Sequence, residues 1–182
     1  MSYRGWILVA VGLFALGMAF GLATPDNVSD VFAEDLAVIE QLAELLGPFE
    51  ISTAFFIFLK NASALLFSFI FSPLLCLVPV LALTINGWLL SFVSATIIKQ
   101  ESVGLLLAGL LPHGILEIPA LIIGEAAALS FGTMVIMALV SRKRRDRLSS
   151  NLKQNIRYMA LAFALLLPAA IIETYITPLL LG

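Results

Sequence analysis

From Asn61 to Ile98 the chain runs without a single Asp, Glu, Lys or Arg. A soluble domain cannot sustain such a stretch, because its surface needs charge; roughly a quarter of an ordinary domain's residues are charged. Across all 182 residues the charged share is only 12% and the hydrophobic share 61%, and the mean hydropathy is +1.07. Lipid is therefore the expected solvent. In lipid every backbone polar group must be satisfied within its own element or a closed barrel, and runs this long and continuously apolar point to helices. The fold class expected is all-α, a polytopic transmembrane helical bundle.

A crossing needs about 20 mainly apolar residues. The first candidate covers 5–23 and follows Arg4. One Arg before an apolar run also opens a cleaved signal peptide, but the run is long for that and further spans follow, so it reads as a retained helix. Pro25-Asp26-Asn27 then marks a turn and a helix start. Over 28–46 Val28, Val31, Phe32, Ile39, Leu42 and Leu46 recur at helical spacing, opposite Asp30, Glu34, Glu40 and Glu44. That pattern is an amphipathic helix outside the bilayer. It has no Lys or Arg to attract anionic lipid, so it is expected to pack on the protein or lie under the headgroups.

Further spans are expected over 52–71 and 74–98. The next apolar stretch, Val103 to Val140, is too long for one crossing and is interrupted by Pro112-His113-Gly114. The reading is a re-entrant or broken segment over 103–112, followed by a span over 115–140. The last span, 158–181, contains Pro168, Glu173 and Pro178. All of this forms one membrane domain, 1–182, with about five crossings.

Net charge, −2, says little; its distribution sets the orientation. Arg142, Lys143, Arg144, Arg145 and Arg147, with Lys153 and Arg157 behind them, belong in the cytoplasm by the positive-inside bias. The basic run reads mainly as this orientation signal, with a phospholipid-headgroup contact as the sharper alternative. Counting back through five crossings puts the N-terminus on the same side as the 141–157 loop. The acidic segment 26–50 and the C-terminus are then external. The expected location is a cell membrane, with multiple passes.

Against this apolar background the informative residues are Lys60, Asn61, Asn86, His113, Glu117, Glu125 and Glu173. An ionised side chain at the bilayer centre costs at least about 2.5–3.5 kcal/mol, so these groups should meet partners, line water or face the bundle interior. His113 and Glu117 share a helix face if the helix begins before His113. Lys60 is the cation placed to pair with Glu117 or Glu125. Three readings compete: a network stitching helices together, a polar pocket or pathway, and a metal site. For the last, His113 and Glu117 offer two ligands and Glu125 or Glu173 a third. The zinc-protease pattern HExxH is absent, and no cofactor is expected.

Gly17 and Gly21 form a GxxxG pair, and Gly124, Ala128 and Gly132 repeat small residues every fourth position; both stripes let helices approach closely. The lone Cys76 excludes an intrachain disulfide and reads as a small packed apolar residue. Asn27-Val28-Ser29 matches a glycosylation sequon. The chain contains no Gly-rich phosphate loop, nucleophile elbow or nucleic-acid-binding pattern.

Four local patterns together resemble the stage II sporulation protein M family of integral membrane proteins. They are Phe55-Phe56-Ile57-Phe58-Leu59-Lys60-Asn61, Asn86-Gly87, Pro112-His113-Gly114-Ile115-Leu116-Glu117-Ile118-Pro119-Ala120 and Glu173-Thr174-Tyr175-Ile176-Thr177-Pro178. The PHGxxExPA stretch is the most specific of them. The resemblance covers the chain from about residue 50 onward and fits the acidic segment before it. The founding sporulation members of that family are membrane partners of a peptidoglycan-remodelling complex needed for engulfment, and the resemblance carries no activity over to this chain. It singles out Asn61, His113, Glu117 and Glu173 as signature positions, without assigning them a reaction.

The function expected from these readings is a non-enzymatic membrane scaffold or complex component. A transporter or channel-like component with a buried polar pathway is the first alternative. An intramembrane metal-dependent enzyme is the second. The partners expected are the lipid bilayer, other membrane proteins or a second copy of the chain, and no nucleic acid.

Overall fold

A computed structural model describes residues 2–25 and 47–181. The amphipathic helix expected over 28–46 and the Asn27 sequon lie outside the described residues. The elements are α1 (Tyr3–Leu22), α2 (Ile51–Phe71), α3 (Leu77–Gln100), α4 (Val103–Val140), α5 (Arg142–Arg145), α6 (Leu148–Tyr175) and α7 (Thr177–Leu181). No strand occurs among the described residues. Five of the helices, α1, α2, α3, α4 and α6, are long and apolar enough to cross a membrane.

The contacts between them fix their relative directions. Asn61 meets Glu117 and Ser68 meets Glu125, so α2 and α4 run parallel. His113 meets Thr177 and Ser130 meets Asn155, so the segment α6–α7 runs antiparallel to α4. A Cβ on Gly17 would strike the Thr84 carbonyl and one on Gly21 the Trp88 carbonyl, so α1 and α3 run parallel. Cys76, just before α3, lies against Leu129, while Asn86 and Ile97 further along α3 share a cavity with Glu117 and Leu105, so α3 runs antiparallel to α4 and consecutive long helices alternate in direction.

Helix α4 is the axis of the bundle. Ala120, Ala127 and Ala128 pack with Leu65 and Phe69 of α2 and with Met159, Ala162 and Leu166 of α6. On the other flank Ile122, Ala126 and Leu129 pack with Ala10 and Phe14 of α1 and Leu83 of α3. The alanines suit this place because in lipid helices associate through close packing rather than through a hydrophobic drive. Large apolar side chains face outward instead, Leu8 and Ile51 at 72% and 73% exposure. In water such a surface would aggregate; in a bilayer it is the solvated face.

One expectation is overturned. Pro112-His113-Gly114 does not break the chain: α4 is a single helix of 38 residues with Pro112 and Pro119 inside it. Each proline removes one backbone donor, but unwinding the helix in lipid would strand several more polar groups. The segment 103–112 is therefore the first part of the same helix as 115–140. At about 1.5 Å per residue α4 is about 57 Å long, far more than the bilayer's apolar thickness of about 30 Å. Its start is well defined, since the Ser102 hydroxyl accepts from the Leu105 amide at 3.1 Å, a standard N-cap.

Two boundaries also shift. The segment 141–157 is largely helical, as α5 followed by the first turns of α6. The final apolar run is divided, with α6 ending at Tyr175 and Pro178 in the first turn of α7, where a missing amide costs nothing. Between α2 and α3 the reversal is tight. Leu75 and Cys76 both adopt positive φ, 55° and 57°, at a cost of about 1–2 kcal/mol each. Gly132 of α4 makes room for this turn, since a Cβ there would collide with the Ser72 carbonyl.

Candidate functional site

Asn61 lies in the middle of α2, about 15 Å along the axis from either end. Its side-chain amide donates to Glu117 Oε1 of α4 at 2.9 Å. One turn earlier on α4, His113 Nδ1 stands 3.4 Å from Thr177 Oγ1, the first residue of α7. Thr177 in turn reaches the Ile172 carbonyl at 3.4 Å. Glu173, near the end of α6, completes the group: one ligand-type atom from each of His113, Glu117 and Glu173 lies within 4.8 Å of the others. All three side chains are half-buried. The continuity of α4 through Pro112 is what stacks His113 over Glu117, and the stop of α6 at Tyr175 is what brings Thr177 against them.

A cavity of about 650 Å³ adjoins this group. It lies between α3 and the first half of α4. Leu90, Val93, Leu106 and Leu110 represent its mainly apolar wall, and Asn86, Ser94, His113 and Glu117 supply polar groups. The Asn86 amide is partly engaged, donating to the Ala82 carbonyl at 2.7 Å. The cavity is thus amphiphilic, an apolar volume with a small set of polar groups at its edge.

The expected cluster divides. Asn61, His113, Glu117 and Glu173 come together, and Asn86 faces the cavity beside them. Lys60 is exposed; the side chains hydrogen-bonded to Glu117 and Glu125 are instead Asn61 and Ser68. Glu125 stands apart, 1% exposed, with the Ser68 hydroxyl donating to its Oε2 at 2.5 Å. It points to the α2 side, about two turns along α4 from Glu117, and so belongs to helix packing rather than to the metal-ligand set. Ser68 and a further polar set, Ser130 with Asn151 and Asn155, are not singled out by the sequence, and Thr177 enters there only within the Glu173–Pro178 pattern. Isolated hydroxyls and amides carry too little signal until their neighbours are known.

The small residues lie at close approaches. Gly17 and Gly21 admit the backbone of α3, and Gly87 of α3 returns the contact against the Phe14 carbonyl. Gly124 lies under Leu65, whose methyl carbons would be 2.9 Å from an added Cβ, and Ala128 is fully buried. In the basic segment Arg145 Nε donates to the Ala138 carbonyl at 3.0 Å, which caps the end of α4 with a cation. Arg142, Lys143, Arg144 and Arg147 remain on the same short segment.

Five alternating apolar helices around an alanine-rich axis define a multi-pass integral membrane protein. The chain belongs to the stage II sporulation protein M family, whose model matches residues 9–178. It is similar to an uncharacterized protein of Methanocaldococcus jannaschii, at 28% identity over 174 residues, 94% of this chain and 93% of the relative. No solved structure matches it. The family match encloses every residue of the polar group described above.

Proposed function

We propose that this protein holds an amphiphilic membrane molecule, its apolar body in the cavity between α3 and α4 and its polar end at His113 and Glu117. The observation that carries this reading is the 650 Å³ volume itself, apolar along its wall and polar at His113, Glu117 and Asn86. The volume is open at its rim, where Leu89, Val93 and Leu105 are exposed, so a molecule dissolved in the bilayer can reach it. A mostly apolar pocket with a few convergent polar groups is the ordinary form of a small-molecule site. The deeper half of α4 is dense, with Ala120, Ala126, Ala127 and Ala128 fully buried. This favours binding from one side over a pathway running through the bundle, so we place retention of a ligand ahead of transport. The basic segment 142–147 is taken as cytoplasmic, which leaves the α6–α7 end external.

The test is native mass spectrometry of the detergent-purified protein beside Gly109→Phe. Gly109 lines the cavity, and a Cβ there meets only Leu181 at an ordinary 3.7 Å, so the ring fills the volume without displacing backbone. The wild type should carry a co-purifying amphiphile that the variant lacks, with unchanged helicity and elution. A wild type that retains none would leave the scaffold reading, in which the same surface serves only to assemble proteins.

A further inference from the structure

We infer that His113, Glu117 and Glu173 form a binding site for a divalent transition-metal ion. Three ligand atoms of the right chemistry converge from two helices, within 4.8 Å of one another. An ion held tetrahedrally at about 2.1 Å spaces its ligands about 3.4 Å apart, so side-chain adjustments of about 1 Å close the site. One imidazole and two carboxylates suit zinc, manganese or ferrous iron rather than the softer, thiolate-seeking ions.

The surroundings hold the ligands as metal sites require. In the tautomer in which His113 Nδ1 donates to Thr177 Oγ1, 3.4 Å away, Nε2 keeps its lone pair free. Asn61 fixes Oε1 of Glu117 at 2.9 Å and leaves Oε2 available. Such outer contacts orient first ligands and set their basicity. Electrostatics point the same way. Two carboxylates have oxygens within 4.8 Å of one another in an apolar bundle, and Lys60 is exposed. A divalent cation supplies the compensation that burial otherwise demands.

A second observation points to a ligand at this place. His113 and Glu117 both line the amphiphilic cavity, so three protein ligands would leave coordination positions turned toward it. A catalytic or ligand-exchanging metal centre keeps just such open positions. The inference takes up the metal-site reading of the sequence and names Glu173, rather than Glu125, as the third ligand. It shares residues with the proposed amphiphile site, but metal binding itself does not depend on that site being filled.

The experiment is metal titration of chelator-stripped, detergent-purified protein with zinc and with manganese, read by calorimetry and by elemental analysis after desalting. The wild type should bind one ion per chain. Glu173→Gln, which keeps shape and removes charge, should weaken binding at least tenfold, and His113→Ala likewise. Glu125→Gln should bind as the wild type does. Gly109→Phe should also bind metal while losing the amphiphile, so failure of one proposal is distinguishable from failure of the other. Absence of stoichiometric metal from monodisperse wild type would overturn the inference. Equal binding by Glu173→Gln would do so as well, marking the metal as adventitious. If His113→Ala fails to fold, Glu173→Gln and the d–d absorption of cobalt-substituted wild type decide the matter.

Discussion

Asn61, at the middle of α2, donates its side-chain amide to Glu117 of α4 at 2.9 Å, joining two parallel helices. The bond is a structural tie and, at the same time, the clamp that aims a carboxylate toward the cavity. Its two roles can be separated by measurement. In a double-mutant cycle of Asn61→Ala and Glu117→Ala, the coupling energy in reversible unfolding should be about 1 kcal/mol, typical of membrane interhelical hydrogen bonds. A coupling near zero would mean the contact contributes no stability.

Close packing between α1 and α3 gives a second prediction. A Cβ at Gly17 runs into the Thr84 carbonyl and one at Gly87 into the Phe14 carbonyl, whereas Gly12 has nothing within 4 Å. Backbone cannot yield as a side chain can. Gly17→Ala and Gly87→Ala should each destabilise the protein by about 1–3 kcal/mol. Gly12→Ala should be neutral or stabilise by up to about 1 kcal/mol. Thermal unfolding in detergent checks all three.

Glu125 and Ser68 provide a contrast with the cavity group. Ser68→Ala removes the 2.5 Å partner of a carboxyl that is 1% exposed. The expected cost is about 1–3 kcal/mol of stability, with amphiphile retention unchanged in native mass spectra. Loss of the amphiphile in this variant would tie Glu125 to the binding site instead.

The alternation of helix directions predicts opposite sides for two exposed segments. In a Cys76→Ala background, Ser150→Cys and Leu180→Cys should react oppositely with a membrane-impermeant maleimide applied to intact cells. Leu180→Cys should label and Ser150→Cys should label only after permeabilisation, in line with the basic residues of 142–157. Labelling of both from one side would require an even number of crossings between them.

The bundle was legible because a charge-free run leaves few physical options, and because the small residues Gly17, Gly21, Gly124 and Gly132 sit at the spacing close helix contacts need. The polar residues were also visible individually, since an ionisable group in an apolar run is conspicuous. What sequence could not supply was their partition. Glu117 and Glu125 differ by two helical turns, and only the tertiary arrangement sends one toward Glu173 and the other toward Ser68. Local propensity misread Pro112-His113-Gly114 as an interruption. Proline and glycine do weaken a helix in water, but in lipid the cost of exposed backbone groups outweighs that preference. Thr177 is quoted within the Glu173–Pro178 pattern, but its part in the group shows only once α7 places it beside His113.

Whether the volume between α3 and α4 holds a ligand can be seen in a cryo-electron microscopy map of the protein in lipid nanodiscs. Elongated non-protein density is expected between Leu90 and Leu110, with its polar end within hydrogen-bond reach of His113 or Glu117. A collapsed interface, with Leu90 packed directly on Leu110 and no density between them, would contradict the proposal.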